Sequence, residues 1–303
     1  MSTQQLQLVC DSSTLANFKA WAKPISDWFR TCGWTNSSDS GQVNWGTIAS
    51  PPGSAAYVFD IFQPGDGLTN FYMKVEYGNL SGTNCPTVRI TIGLSTNGSG
   101  TITGTFIGPT PCPITSFTAP STSTQFECDF SGDTGRMGIM MWRNGGNNCG
   151  QLFAVERSLN SSGAATSTYV TLWTAGTSLS NRACSQQSLM LGGAGAGPGG
   201  APTLNGSNGW SVRMSNCVVS SVQVTTGFNG GIPFDNCAPN VGFYDYPSTE
   251  VGAIGPIDAS EGVSFTVTVY GSIRTYIPTK LVGAGFGPFN SGAPFGFICM
   301  RYD

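Results

Sequence analysis

The sequence predicts an all-β protein, an antiparallel β-sandwich or jelly-roll-like domain with a short N-terminal helical segment. Three observations predict it. Beyond residue 45, apolar residues recur at alternate positions in short runs, the pattern of half-buried antiparallel strands. Turn-forming sequence separates those runs, drawn from 42 glycines and 18 prolines in 303 residues. Only one segment, near the N-terminus, carries helical spacing.

In that segment Leu15, Phe18, Trp21, Ala22, Ile25, Trp28 and Phe29 repeat every three to four residues. Asp11, Ser12 or Ser13 is expected to cap its start and Gly33 to mark its end. Pro24 is expected to kink or split it, because proline has no N–H and its ring crowds the preceding turn. Leu15, Phe18, Trp21, Ile25, Trp28 and Phe29 are the candidate assembly contacts, since such a face must bury itself against either its own β core or a neighbouring subunit. Residues 1–34 read as a helical anchor segment and 35–303 as the β-rich domain, with a sub-boundary in the glycine-rich stretch 176–209.

Strands are expected at 56–62, 72–77 and 87–93, with Met73, Val75 and Tyr77 on one face and Val88, Ile90 and Ile92 on another. The Asn-Gly turn in TNGSG makes 87–107 a hairpin. A second hairpin joins 136–143 to 151–157 across NGGNNCG, and 169–173 follows. Strand pattern resumes at 217–226 and 263–271, and the closing PFGFICMRYD reads as extended.

Composition narrows the function. Lys and Arg number 13, Asp and Glu 16, and histidine is absent. At 10% charged residues the chain has well under half of the usual ~25%. Most enzymes draw proton-transfer and metal-binding groups from these scarce types, so the expectation is a non-enzymatic protein with no cofactor. A net charge of −3 argues against a nucleic-acid surface. No run approaches the ~20 apolar residues of a membrane span, and no signal-peptide pattern opens the chain. Ten dispersed cysteines without a CxxC pair read as small buried hydrophobes and not as zinc ligands.

The motifs have plain readings. Gly195, Gly197 and Gly200 spell GxGxxG, but Pro198 interrupts it and no helix pattern follows, so it is a loop. Asp60, Asp66, Glu76, Asp129, Glu156, Asp235, Asp245, Asp258 and Glu261 are scattered, and nothing pairs two of them at glycosidase spacing. Glu76 is expected to face solvent or to pair with Lys74 or Arg89. Glu156 and Arg157 are expected to form an exposed strand-end ion pair, with a neighbour such as Arg143, worth at most about 1 kcal/mol. Trp142, Trp173 and Trp210 are candidates for stacking on sugars, with burial the plainer reading.

Several blocks together carry a resemblance: YVFDIFQPGDGLTNFYMKVEYG at 57–78, PTVRITIGLSTNGSGTITG at 86–104, LFAVERSLNSSGAATSTYVTLW at 152–173, RTYIP at 274–278 and the closing MRYD. This arrangement resembles uncharacterised virion structural proteins of tailed bacteriophages. The resemblance implies a head, neck or tail component, assembled in the bacterial cytoplasm with other virion proteins and as a homo-oligomer, such as a trimer. It supplies no catalytic or ligand residue. A tail or neck appendage is the first expectation; capsid decoration and host-surface glycan or receptor binding are the alternatives.

Overall fold

The computed structural model describes residues 2–9, 11–68, 71–79, 86–111, 125–143, 149–159, 164–177, 184–192, 240–241, 244–245, 251–254, 263–269, 272–282 and 297–303. In chain order the elements are β1 (Ser2–Val9), α1 (Leu15–Thr31), β2 (Thr35–Asn36), β3 (Tyr57–Gln63), β4 (Tyr72–Asn79), β5 (Pro86–Thr96) and β6 (Ile102–Pro111). They continue with β7 (Gln125–Gly132), β8 (Arg136–Arg143), β9 (Cys149–Leu159), β10 (Ala165–Thr177) and β11 (Cys184–Gly192). The last are β12 (Asn240–Val241), β13 (Tyr244–Asp245), β14 (Val251–Ile254), β15 (Phe265–Val269), β16 (Ser272–Val282) and β17 (Phe297–Arg301).

Among the described residues every strand ladder is antiparallel, so the all-β class holds. A six-stranded sheet runs β1-β7-β8-β9-β10-β11, a five-stranded sheet β2-β3-β4-β5-β6, and a four-stranded sheet β14-β17-β16-β15. The first two share one core with α1. Strand alternation builds it: Phe126, Cys128 and Phe130 of β7 share a face with Met137, Ile139 and Met141 of β8, Cys128 opposite Met141 and Phe130 opposite Ile139. Facing them, the second sheet contributes Phe62, Met73, Val75, Tyr77, Val88, Ile90 and Ile92.

The helix joins the two sheets. Trp28 meets Phe130 of β7 at 5.5 Å between ring centroids, and Phe29 stacks on Phe62 of β3 at 4.5 Å. Fully burying each such ring is worth about 2–3 kcal/mol. Phe18, Trp21, Ile25, Trp28 and Phe29 are therefore buried in this chain's own core, and Leu15 is half-buried. Residues 2–9, outside any expected strand, form β1 and pair with β7 along their whole length. The boundary expected at residue 34 has no counterpart in the layers, because β1 is a sheet strand and α1 fills the core.

Helix termini differ from expectation at one end. Thr14, not Asp11, Ser12 or Ser13, is the N-cap, with its hydroxyl accepting from Asn17 N–H at 3.1 Å. Asp11 instead supports that cap by accepting from Ser13 and Asn17. Pro24 does not split the helix, which is continuous through it. At the other end Gly33 stops it as expected: Gly33 N–H bonds Arg30 and Trp34 N–H bonds Phe29, both at 3.0 Å, a Schellman closure. Gly33 has φ +87°, where glycine alone is unstrained.

The hairpins at 87–107 and 136–157 form as β5–β6 and β8–β9. Segments 56–62, 72–77, 169–173, 263–271 and the C-terminus are also strands, with shifted ends. The expected strand at 217–226, the glycine motif at 195–200, Trp210, Asp235, Asp258 and Glu261 lie outside the described residues. So does the core of the expected sub-boundary beyond residue 192.

Candidate functional site

Among the described residues, chemistry-bearing side chains gather in one small and two larger buried polar clusters and in one groove. The small cluster holds Asp39, which accepts from Ser37, Thr96 and the Gly100 N–H. The first larger cluster lies between α1 and the second sheet. Alternation puts Asp60 on the core face of β3, between Val58 and Phe62, where an apolar residue is the norm. Its carboxylate is 1% exposed. Ser26 donates to Oδ2 at 2.7 Å; Arg30 Nη2 and Asn36 Nδ2 each donate to Oδ1 at 3.1 Å. The Ser26 hydroxyl is itself saturated, since it accepts from Arg30 Nη1 at 2.7 Å and Trp45 Nε1 at 2.9 Å. One donor and two lone pairs are all a hydroxyl offers.

Burial raises the pKa of Asp60 above the usual aspartate value, against the pull of the Ser26 hydrogen bond and the Arg30 charge. Tyr77 is buried beside it, and burial with the Asp60 charge pushes its phenol well above 10. Its hydroxyl has no partner of good hydrogen-bonding geometry among the described residues. The carboxylate is buried, while Arg30 and Asn36 cap it from the exposed side, so the cluster positions α1 on β3.

The second larger cluster spans both faces of β9, with Asp66 from the β3–β4 connection on one face and the last residues of the chain on the other. Arg157 makes a two-pronged pair with Asp66, through Nε and through Nη2 at 3.0 Å to Oδ1. Its side chain is 1% exposed and stacks over Phe71 at 4.9 Å. Gly135 makes room, because a Cβ there would sit 2.8 Å from Asp66 Oδ2. Glu156 pairs with Arg301 at 3.9 Å, both side chains 5% exposed, and Arg301 Nε reaches Asp303 at 2.6 Å. Arg136 pairs with Asp133 at 3.2 Å and donates to the main-chain oxygen of Asp303.

This corrects the exposed strand-end pair. Glu156 and Arg157 are buried, their partners come from 91 to 145 residues away in sequence, and Arg143 lies opposite Cys149 instead. Adjacent residues on a strand face opposite ways, so the two bind separate carboxylate or arginine partners on the two faces. Glu76 meets expectation: on the outer face of the second sheet it accepts from Arg89 Nε at 2.7 Å and Nη2 at 2.6 Å, with Lys74 at 3.6 Å.

The groove is open, about 290 Å³ in volume, on the outer face of β1, β7 and β8. Register makes it two rows: Gln5 beside Asp129 beside Met140, and Gln7 beside Glu127 beside Trp142. Gln5 Nε2 donates to Asp129 at 2.8 Å. Of the sugar-stacking candidates, Trp142 is buried to 1% exposure, and the side chain of Trp173 lies outside the described residues.

Among the described residues, no three His, Cys, Asp or Glu side chains come together as a metal site. Cys32, Cys128 and Cys299 are buried, as small hydrophobes; burial pushes the Cys32 thiol to about 12. Sequence reasoning missed Ser26 and Asn36 as partners of Asp60, and Trp45 as a donor to Ser26. The available signal was a carboxylate at a core-facing alternation position. No protein-family model, curated protein or solved structure matches the chain.

Proposed function

We propose that this chain is a non-enzymatic structural component of a tailed-phage virion, a tail or neck appendage protein. The observation that supports it is where the scarce charge goes. Asp60, Asp66, Glu76 and Glu156 each engage a basic side chain that ties two elements together. Catalytic carboxylates work from a cleft with altered protonation and room for substrate; these serve as internal fasteners. The resemblance of the strand-and-turn blocks to virion structural proteins supplies the particle. Capsid decoration is the second reading within the same class.

Gold-labelled antibody against the protein, imaged on purified particles, tests the proposal. Label at one vertex or along the tail is the expected result. Label over the whole capsid favours decoration, and absence of the protein from denatured purified particles overturns the structural reading. Receptor binding predicts in addition that the purified protein coats host cells or blocks infection.

A further inference from the structure

The sheets end on unequal edges. β2 is two residues long. β6 carries Pro109 and Pro111, which cannot donate to a ladder, and its register with β5 shifts twice. β14 and β15 are four and five residues long, and β11 packs against β6. These are the usual ways of blunting an edge. β1 has none of them. It is eight residues, STQQLQLV, with no proline, no charge and no break in its register with β7. Among the described residues no strand lies on its other side.

From this edge we propose that β1 pairs antiparallel with β1 of a second copy of this chain, about a two-fold axis through Leu6, joining two six-stranded sheets into one. Face matching restricts the register, because a one-residue slip would set a core-facing row against an outward-facing one. Gln4, Leu6 and Leu8 share the core face with Phe130, Cys128 and Phe126; Thr3, Gln5 and Gln7 point outward with Ser131, Asp129 and Glu127. Centring on Leu6 sets Leu6 opposite Leu6, Gln5 opposite Gln7, Gln4 opposite Leu8 and Thr3 opposite Val9. Both faces then continue across the axis, and the half-buried Leu6 gains apolar cover.

Electrostatics selects the occupant. A strand with no charged residue meets its own copy without a like-charge pair, which directly opposed charges would penalise. The acidic residues of the two β7 strands would stand three strand spacings apart, about 14 Å. That exceeds the ~8 Å Debye length at physiological salt, so their repulsion is largely screened. The groove beside Gln5 and Gln7 would run into its twin. Such an interface is isologous and, at seven residues a side, falls short of the ~1,200–2,000 Å² of stable complexes. The isolated pair is thus weak and gains strength by repetition. The inference rests on the multi-copy assembly reading, but its test uses the isolated protein.

Sedimentation velocity of the full chain at about 0.2 mM, where a weak interface of this class is populated, reads the outcome. Wild type is expected to show a concentration-dependent dimer. Gln5→Lys with Gln7→Lys sets lysine opposite lysine and is expected to weaken the dimer at least tenfold. Gln5→Lys with Gln7→Glu sets lysine opposite glutamate and is expected to keep it. Both variants change exposed side chains, and circular dichroism checks their fold. A wild-type monomer, a lysine pair without effect, or loss of the dimer in the lysine–glutamate variant overturns the proposal. A monomer would leave the virion reading standing, because particle labelling decides that separately.

Discussion

At the helix–sheet interface a single buried carboxylate, Asp60, is shared among Ser26, Asn36 and an arginine whose side chain is 38% exposed. At the junction of β9 with the β3–β4 connection on one face and the C-terminal residues on the other, each buried charge instead meets an opposite charge directly: Arg157 with Asp66, Arg301 with Glu156. Hydrogen bonds from neutral groups can satisfy a carboxylate whose pKa burial has raised, as at Asp60. A buried guanidinium has no neutral form within reach at pH 7, so it must be paired. The helix-side cluster therefore depends on hydrogen-bond count, and the junction on charge.

The comparison breaks most visibly at Arg157. Arg157→Ala leaves Asp66 without its cation and is expected to cost about 3–5 kcal/mol, read as a fall in urea midpoint at unchanged slope. Asp60→Ala strands three donors and is expected to cost about 2–3 kcal/mol. Asp60→Asn costs about as much, because its amide N–H faces a donor on whichever side it points and Ser26 has no lone pair left to accept it. The pH dependence sharpens this. With its folded pKa above the unfolded value of about 4, Asp60 favours the fold fully below that value and loses that contribution as pH rises through the folded pKa. Asp60→Asn should thus gain on wild type as pH rises from about 4 to 7. Asp39 runs the other way: burial opposes its charge, but Thr96, Ser37 and the Gly100 N–H win and lower its pKa. Asp39→Asn should be least stable relative to wild type at neutral pH, the gap closing as pH falls below about 4.

Smaller effects belong to the helix ends that place Ser26 and Arg30. Gly33→Ala puts a Cβ 2.9 Å from the Thr134 methyl at positive φ and is expected to cost about 1–2 kcal/mol. Thr14→Ala removes the N-cap and should cost about 1 kcal/mol. Thermal unfolding measures both.

Much of the fold is legible in sequence because alternation speaks for itself in β4, β5 and β8, and three-to-four spacing does in α1. β1 escaped because STQQLQLV offers only Leu6 and Leu8 at alternate positions, with Val9 breaking the alternation, too little to mark a strand whose partner β7 lies far along the chain. Pro24 misleads because the tertiary packing of Trp21, Ile25, Trp28 and Phe29 outweighs the one helical hydrogen bond it removes. The junction was invisible for another reason: Glu156 and Arg157 look like an ordinary surface dipeptide until Asp66 and Arg301 arrive from distant segments. Local sequence shows which face a residue takes, not what meets it there.

The direct test of the charges as buried fasteners is a double-mutant cycle on Asp66→Asn and Arg157→Met, with unfolding free energies measured in urea. Asparagine retains an acceptor for the Leu68 N–H, which Asp66 now serves at 3.1 Å, so the cycle isolates the ion pair. A coupling energy of about 2 kcal/mol or more is the predicted result. A coupling below about 0.5 kcal/mol, the value of an exposed pair, would contradict the account.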